Sequence, residues 1–109
     1  MSDNTTLLNS LGLCKRAGKL VHGDELIPAI QKRNVSVVVV ADDASDRTRK
    51  QILDKCAFYK ITVVTGLQRD ELSQAIGTIN RVAVGVSDTG LGNLVKKAHT
   101  ERGGVDSDE

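Results

Sequence analysis

The chain holds 109 residues, of which 39% are apolar, and it carries a net charge of +1. This is the length of one domain, and the apolar share is enough for one compact core and too high for a disordered chain. No run approaches the ~18–20 apolar residues that a membrane span needs, and the N-terminal sequence lacks the basic and apolar stretches of a secretory signal. We therefore expect a cytoplasmic protein with no membrane partner.

Apolar periodicity in the first part of the chain predicts two helices and then a strand. The first helix ends at Gly18, a residue that favours helix ends, and Gly23 opens the second helix after a short extended segment. The run 35–41 is mostly β-branched and apolar, which predicts a strand buried on both faces. The inward residues predicted for the two helices are Leu7, Leu11, Cys14 and Ala17, and then Leu26, Ile27 and Ile30.

The rest of the chain repeats this alternation. Ser45 is a favoured N-cap residue for a third helix, a fourth helix ends near Gly77 between strands at 61–65 and 82–86, and Asp88 caps a last helix. The inward residues predicted for these helices are Ile52, Leu53, Cys56 and Tyr59, then Leu72, Ala75 and Ile76, and then Leu91, Leu94, Val95 and Ala98. The pattern predicts an α/β fold, a three-layer α/β/α sandwich around a mixed, largely parallel sheet of about four strands.

The small net charge conceals an uneven distribution. Residues 101–109 hold four acids and one base, which predicts an acidic disordered tail after a single domain at 1–100. The other residues hold 14 bases against 10 acids, with basic clusters at 15–19 and 47–50. Such clusters favour binding to a polyanion, although the solvated faces of helices carry them too.

Acidic residues follow two of the predicted strands. Asp42 and Asp43 follow the central strand, and Asp88 follows the last one. Because ligands gather beyond the carboxyl ends of strands in open α/β sheets, these carboxylates are a candidate divalent-metal site for a small enzyme or switch. A polar turn and a helix cap explain the same residues more simply. We therefore expect no cofactor.

Nucleophilic catalysis has little support in the sequence. Cys14 and Cys56 fall on predicted buried helix faces, where thiols are usually inert, and their spacing excludes a disulfide framework or a Cys-x-x-Cys site. His22 and His99 have no acid or nucleophile at a motif spacing, so we expect surface or capping roles. The adjacent aromatic residues at 58–59 cannot supply the stacking platform of a sheet-type RNA reader or of a single-strand groove. We expect no enzymatic activity.

One edge of the predicted domain combines basic residues with a helix that a glycine opens. Its residues are Lys15, Arg16, Lys19, Gly23, Asp24 and Glu25. Gly23 permits a large ligand to approach the backbone, and a helix N-terminus offers free N–H groups. Asp24 and Glu25 are hydrogen-bond acceptors, unsuited to phosphate but suited to the amino groups on base edges. This edge is a candidate RNA-binding site, and a capped helix with local ion pairs is the alternative.

Several segments match one known family in order and spacing. They cover roughly residues 7–98 and include Gly-Asp-Glu-Leu at 23–26 and Ala-Asp-Asp-Ala-Ser at 41–45. Together they resemble the kink-turn RNA-binding ribosomal protein family of the archaeal large-subunit type, and in particular its small bacterial branch, the YlxQ-type proteins. The resemblance implies an α/β/α sandwich that binds sharply bent, structured RNA, such as ribosomal RNA, without catalysis. We expect a monomer with no DNA partner.

The resemblance implies two regions of RNA contact. The first is the start of the second helix, with the basic residues around it. The second is the loop 78–82, where the family packs an apolar residue on a flipped-out base; Ile79 or Val82 has that role here, and Arg81 meets phosphate. The implied RNA-binding residues are Lys15, Arg16, Lys19, Gly23, Asp24, Glu25, Lys32, Ile79, Arg81 and Val82.

The first region departs from the family pattern. The archaeal motif is Gly-x-Asn-Glu, whereas Glu25 and Leu26 occupy its third and fourth places here. The asparagine that would offer both a donor and an acceptor is missing, and Leu26 is expected to face the core. RNA binding in general is therefore a firmer expectation than tight kink-turn readout. A protein–protein adaptor on the same fold is a further alternative.

Overall fold

The computed structural model describes residues 4–78 and 81–101. Its helices are α1 (Thr5–Arg16), α2 (Leu26–Gln31), α3 (Asp46–Tyr59), α4 (Arg69–Ile76) and α5 (Thr89–Glu101). Its strands are β1 (Leu20–Val21), β2 (Val37–Val40), β3 (Thr62–Val64) and β4 (Ala83–Val86), and a short 3₁₀ turn at Gly23–Glu25 leads into α2. Among the described residues, no helix combines the length and hydropathy that spanning a membrane requires. Most of the acidic tail lies outside the described residues.

The four strands form one mixed sheet in the order β1-β4-β2-β3. β2 pairs in parallel with β3, whereas β4 runs antiparallel between β1 and β2. Three of the four strands therefore point in one direction, and β4 is the reversed strand. The predicted mixed, largely parallel sheet is confirmed, and the reversal of β4 decides which loops meet at each end of it.

Helices cover both faces of the sheet. Val37 and Val39 of β2 pack with α1, α4 and α5, whereas Val38 and Val40 pack with α2 and α3. All four side chains are fully buried, because successive residues of a strand point to opposite faces and both faces are covered. The three-layer α/β/α sandwich is therefore confirmed.

Some residues that the periodicity placed inward lie at the surface. Leu53 of α3 is 36% exposed and Leu94 of α5 is 46% exposed. Each adjoins a residue that takes the buried position, Ile52 and Val95 respectively, and adjacent residues on a helix do not share a face. Ala17 lies beyond the end of α1 and is exposed. The residues at the margins of the core are half-buried; they are Ile27, Tyr59, Ala75 and Leu91.

The titratable residues of the core differ from the prediction at one position. His99 was expected at the surface or at a cap, but it is only 5% exposed. Cys14 and Cys56 are buried as predicted. Burial, assisted by the negative charge of Asp88, raises the pKa of Cys14, and burial raises the pKa of Cys56 to about 11. Both thiols therefore stay protonated at neutral pH and lack the reactivity of a thiolate.

Candidate functional site

The Gly23 turn and the residues before β4 meet at one end of the sheet. Gly23 follows β1, Arg81 and Val82 precede β4, and these two strands are neighbours. Gly23 has a φ of +68°, a backbone conformation that favours glycine. Arg81 Nη1 lies 3.2 Å from the position that a Cβ atom would occupy on Gly23. The guanidinium of Arg81 therefore rests on bare backbone.

Ser73 of α4 holds the backbone of Arg81 in place. The N–H of Arg81 donates to Ser73 Oγ at 3.0 Å, and the Ser73 hydroxyl donates to the Arg81 carbonyl at 3.2 Å. The Arg81 side chain is half-buried, and its Nε finds no acceptor within residues 4–78 and 81–101. An arginine placed in this way is suited to a ligand that brings acceptors, such as phosphate oxygens.

A groove of about 190 Å³ opens beside Gly23 and Arg81, between α2 and α3. Its lining residues are Gly23, Leu26, Ile27, Thr48, Gln51, Ile52, Arg81, Val82 and Ala83. We call it the α2–α3 groove. Aliphatic side chains form most of the lining, and Thr48, Gln51 and Arg81 add polar groups. This combination suits a flat apolar ring with polar edges.

Asp24, Glu25 and Lys32 line a different groove. Their neighbours there are Val21, Pro28, Ala29, Asn34 and Ser87. The structure thus assigns Gly23 to one groove and the two acids that follow it to another. Leu26, at the fourth place of the family motif, is 4% exposed and packs in the core as expected.

The basic residues near the end of α1 do not form one cluster with Gly23. Lys15 reaches α4, where its ammonium fills the space above Gly77, the C-cap residue that precedes the loop 78–82. The carbonyl of Lys19 accepts hydrogen bonds from the Ser87 N–H at 2.8 Å and from its hydroxyl at 3.1 Å. These bonds anchor the backbone of Lys19 beside the carboxyl end of β4, whereas Arg81 precedes the amino end of the same strand. Arg16 is exposed at the end of α1.

Ile79 lies outside the described residues, and so does its neighbour Asn80. Of the two residues predicted for the apolar contact of the loop 78–82, Val82 is the one that the structure describes. This side chain is half-buried and lines the α2–α3 groove next to Arg81.

Asp42 and Asp43 fasten the loop that leads into α4. Asp42 Oδ1 accepts the N–H of Gly66 at 2.8 Å, and Asp43 Oδ1 accepts the N–H of Arg69 at 2.7 Å. The Arg69 guanidinium also donates to the Asp43 carbonyl at 3.1 Å. Asp42 therefore accepts a backbone N–H of the loop, and Asp43 accepts the backbone N–H of the first residue of α4.

The predicted grouping of Asp88 with Asp42 and Asp43 is wrong. β4 is antiparallel to β2, with Val86 opposite Val37, so Asp88 lies at the end of the sheet where β2 begins. There Asp88 Oδ2 accepts the N–H of Leu91 at 2.8 Å, which makes Asp88 the cap of α5. Nowhere in residues 4–78 and 81–101 do three His, Cys, Asp or Glu side chains gather in a way that could hold a metal ion.

The contribution of α3 to the site escaped the sequence analysis. Thr48 and Gln51 are three positions apart and share one side of α3, which is a pattern visible in the sequence. Nothing in the sequence indicated that this side faces Gly23 and Arg81. The basic cluster at 47–50 was the one signal that pointed to this helix.

The family model for the Ribosomal protein L7Ae/L30e/S12e/Gadd45 family matches residues 5–99. The chain belongs to this family. It is 36% identical over 91 residues to the RNA-binding protein YlxQ of Enterococcus faecium. The aligned residues cover 83% of this chain and 87% of that protein. It is also 39% identical over 84 residues to the RNA-binding protein YlxQ of Bacillus subtilis (strain 168). Here the aligned residues cover 76% of this chain and 84% of that protein. The predicted resemblance is confirmed.

Solved structures show the same fold. A protein with unknown function from Bacillus halodurans C matches with a TM-score of 0.81 and 37% identity, over 86% of this chain and 96% of that one. The Giardia lamblia 15.5kD RNA binding protein matches with a TM-score of 0.75 and 17% identity, over 90% of this chain and 85% of that one. At this identity the second match bears on the fold alone.

Proposed function

We propose that this protein binds structured RNA without catalysing a reaction, and that it recognises a sharply bent segment where Gly23 meets Arg81. The observation that carries the proposal is the Arg81 guanidinium, seated on bare backbone at the α2–α3 groove. Arginine presents a planar fork of donors to phosphate, and the aliphatic groove accepts one base that has left the helical stack. The two YlxQ relatives, named as RNA-binding proteins, support RNA as the ligand.

A bend in RNA supplies both groups that the site would bind. In a regular A-form helix the major groove is too narrow for side chains, so sequence-specific proteins use bases that loops and bulges expose. A kink exposes such bases and also brings phosphates together. The ammonium of Lys15, positioned at Gly77, adds positive charge at the start of the loop 78–82, which contains Arg81.

The wider biological role belongs to the same proposal. The family that matches this chain is named for ribosomal proteins, which favours ribosomal RNA and a ribosome-associated, cytoplasmic protein. We propose that one monomer binds one RNA bend. DNA is not an expected partner, because the exposed bases of a bend in folded RNA are the target.

A fluorescence titration at physiological salt tests the proposal. It compares a kink-turn RNA with a straight RNA duplex of equal length and a DNA duplex. We expect the kink-turn RNA to bind at least about 10-fold more tightly, and Arg81→Ala to remove most of that preference. Lys97→Ala, which removes one exposed positive charge from α5, is the matched control and should keep the preference. Equal, weak binding of all three nucleic acids by the unmodified protein would overturn the proposal.

A further inference from the structure

The outer face of α3 carries an exposed aromatic ring outside the site described above. Phe58 is 76% exposed, more than any other large hydrophobic side chain in the described part of the chain. The centroid of its ring lies 4.8 Å from that of Tyr59, with the two planes at 80°. An edge-to-face neighbour steadies an aromatic ring without stacking on it. Phe58 therefore offers to solvent a ring that Tyr59 supports from the side.

This ring lies on a surface that continues from the α2–α3 groove. Gln51 lines that groove and also lines a second depression together with Asp54, Lys55, Phe58 and Tyr59. Gln51 and Phe58 are seven residues apart on α3, which is about two turns and roughly 10 Å along the same side of the helix. An extended ligand that leaves the α2–α3 groove past Gln51 would therefore meet the Phe58 ring next.

The charge of this helix favours nucleic acid as the occupant of the surface. Residues 46–60 contain five basic and two acidic residues; the bases are Arg47, Arg49, Lys50, Lys55 and Lys60. Lys55 and Asp54 line the depression with Phe58 and offset each other, so the positive excess comes from the rest of the helix. Proteins that bind single strands combine aromatic rings, on which bases stack, with cations that follow the backbone. An apolar protein partner would instead favour a surface with fewer charges.

We propose that Phe58 stacks on one base of an unpaired strand that leaves the bound RNA bend. This inference rests on the proposed function and adds a second RNA contact to it. The contact would strengthen binding with little dependence on sequence, because every base has an aromatic face.

The test uses the kink-turn RNA with blunt ends and two versions that carry six unpaired adenosines at the 3′ end of one strand or the other. We expect the unmodified protein to bind at least one extended RNA about 10-fold more tightly than the blunt RNA, since stacking on one aromatic ring typically gives 1–3 kcal/mol. Phe58→Ala should remove this gain and leave the affinity for the blunt RNA unchanged. Leu53→Ala, which removes another exposed apolar side chain of α3 that does not line this depression, should keep the gain.

A second variant gives a direct signal at the ring. The chain contains no tryptophan, so Phe58→Trp would introduce a single one as a fluorescent reporter. We expect its emission to be quenched by the favoured extended RNA and to change little with the blunt RNA. Emission that responds equally to both RNAs would contradict stacking on the unpaired strand.

The outcomes separate this inference from the proposed function. If the unmodified protein shows no preference for the bend over a straight duplex, both fail. If it prefers the bend but gains nothing from either extension, or if Phe58→Ala weakens the blunt and extended RNAs alike, only the inference about Phe58 fails. A protein partner would then be the better explanation of the exposed ring.

Discussion

The guanidinium of Arg81 rests on the backbone of Gly23, with Nη1 3.2 Å from the point where a side chain would begin. Two segments that are far apart in the chain thus share one surface. Any side chain at Gly23 must displace the arginine or distort the turn. The contact therefore links a backbone conformation that favours glycine to the position of the Arg81 guanidinium, the group that we propose binds phosphate.

Gly23→Ala should weaken kink-turn RNA binding about 10-fold and lower the free energy of unfolding by about 1 kcal/mol, because alanine is strained at a φ of +68°. Gly18→Ala is the matched control. Gly18 has a φ of +70°, but nothing lies within 4 Å of a Cβ atom there. We expect a similar loss of stability with unchanged RNA affinity, measured by denaturant unfolding and by titration. If both variants weakened RNA binding equally, strain and not the Arg81 contact would be the cause.

Lys15→Ala should weaken RNA binding and reduce the salt dependence by about one unit of slope, as expected for the loss of one phosphate contact. Lys19→Ala should have a smaller effect, because its backbone is anchored to Ser87 across the sheet from Arg81. Titrations at several salt concentrations would measure both slopes. If the salt dependence of RNA binding had the same slope for Lys15→Ala and for the unmodified protein, Lys15 would make no phosphate contact.

Gly85→Ala should destabilise the fold by about 1–3 kcal/mol. A Cβ atom on Gly85 would lie 2.8 Å from Val35 Cγ1 and 3.0 Å from Leu26 Cδ1, so Val35, in the segment before β2, and Leu26 of α2 would both have to move. Gly12→Ala provides the contrast, because it lies within α1 with only ordinary contact to Ala75 and should stabilise the helix by about 0.5–1 kcal/mol. Urea unfolding of both variants is the measurement, and a destabilised Gly12→Ala would contradict this packing.

Lys60→Gly should stabilise the protein by about 0.5–1 kcal/mol. Lys60 is the C-cap of α3 and has a φ of +59°, where a glycine avoids the strain of a side chain. Lys50→Gly removes the same charge from the middle of the same helix and should destabilise by about 1 kcal/mol. Thermal unfolding would rank the two variants, and the reverse order would be evidence against the left-handed cap.

The free energy of unfolding should fall as the pH rises from about 9 to 11. The pKa of Cys56 is raised by burial from 9.0 to about 11, so the folded state retains its proton while the unfolded chain loses it. This group contributes at most about 1.4 kcal/mol per pH unit in that window. Cys56→Ala should show a shallower pH dependence than the unmodified protein. Identical slopes in urea unfolding from pH 9 to 11 would show that Cys56 does not contribute.

Much of the fold follows from local patterns in the sequence. The β-branched run at 35–41 predicts a strand buried on both faces, and Ser45 begins α3 as a cap whose Oγ accepts the N–H of Thr48 at 3.2 Å. The apolar periodicity of a helix does not determine which residues at the edge of its apolar stripe are buried. Leu53 and Leu94 show this, because an apolar residue beside the buried stripe satisfies the same pattern as one within it.

The tertiary structure alone decided how the functional residues are grouped. The sequence singled out Gly23, Arg81 and Asp88 without indicating which of them lie together. The direction of β4 determined that Arg81 meets Gly23 and that Asp88 lies at the other end of the sheet. Strand direction depends on pairing between distant segments, which leaves no local periodicity. The alternation of apolar and polar residues therefore determined the layers of this protein, whereas long-range strand pairing determined which loops meet at its candidate site.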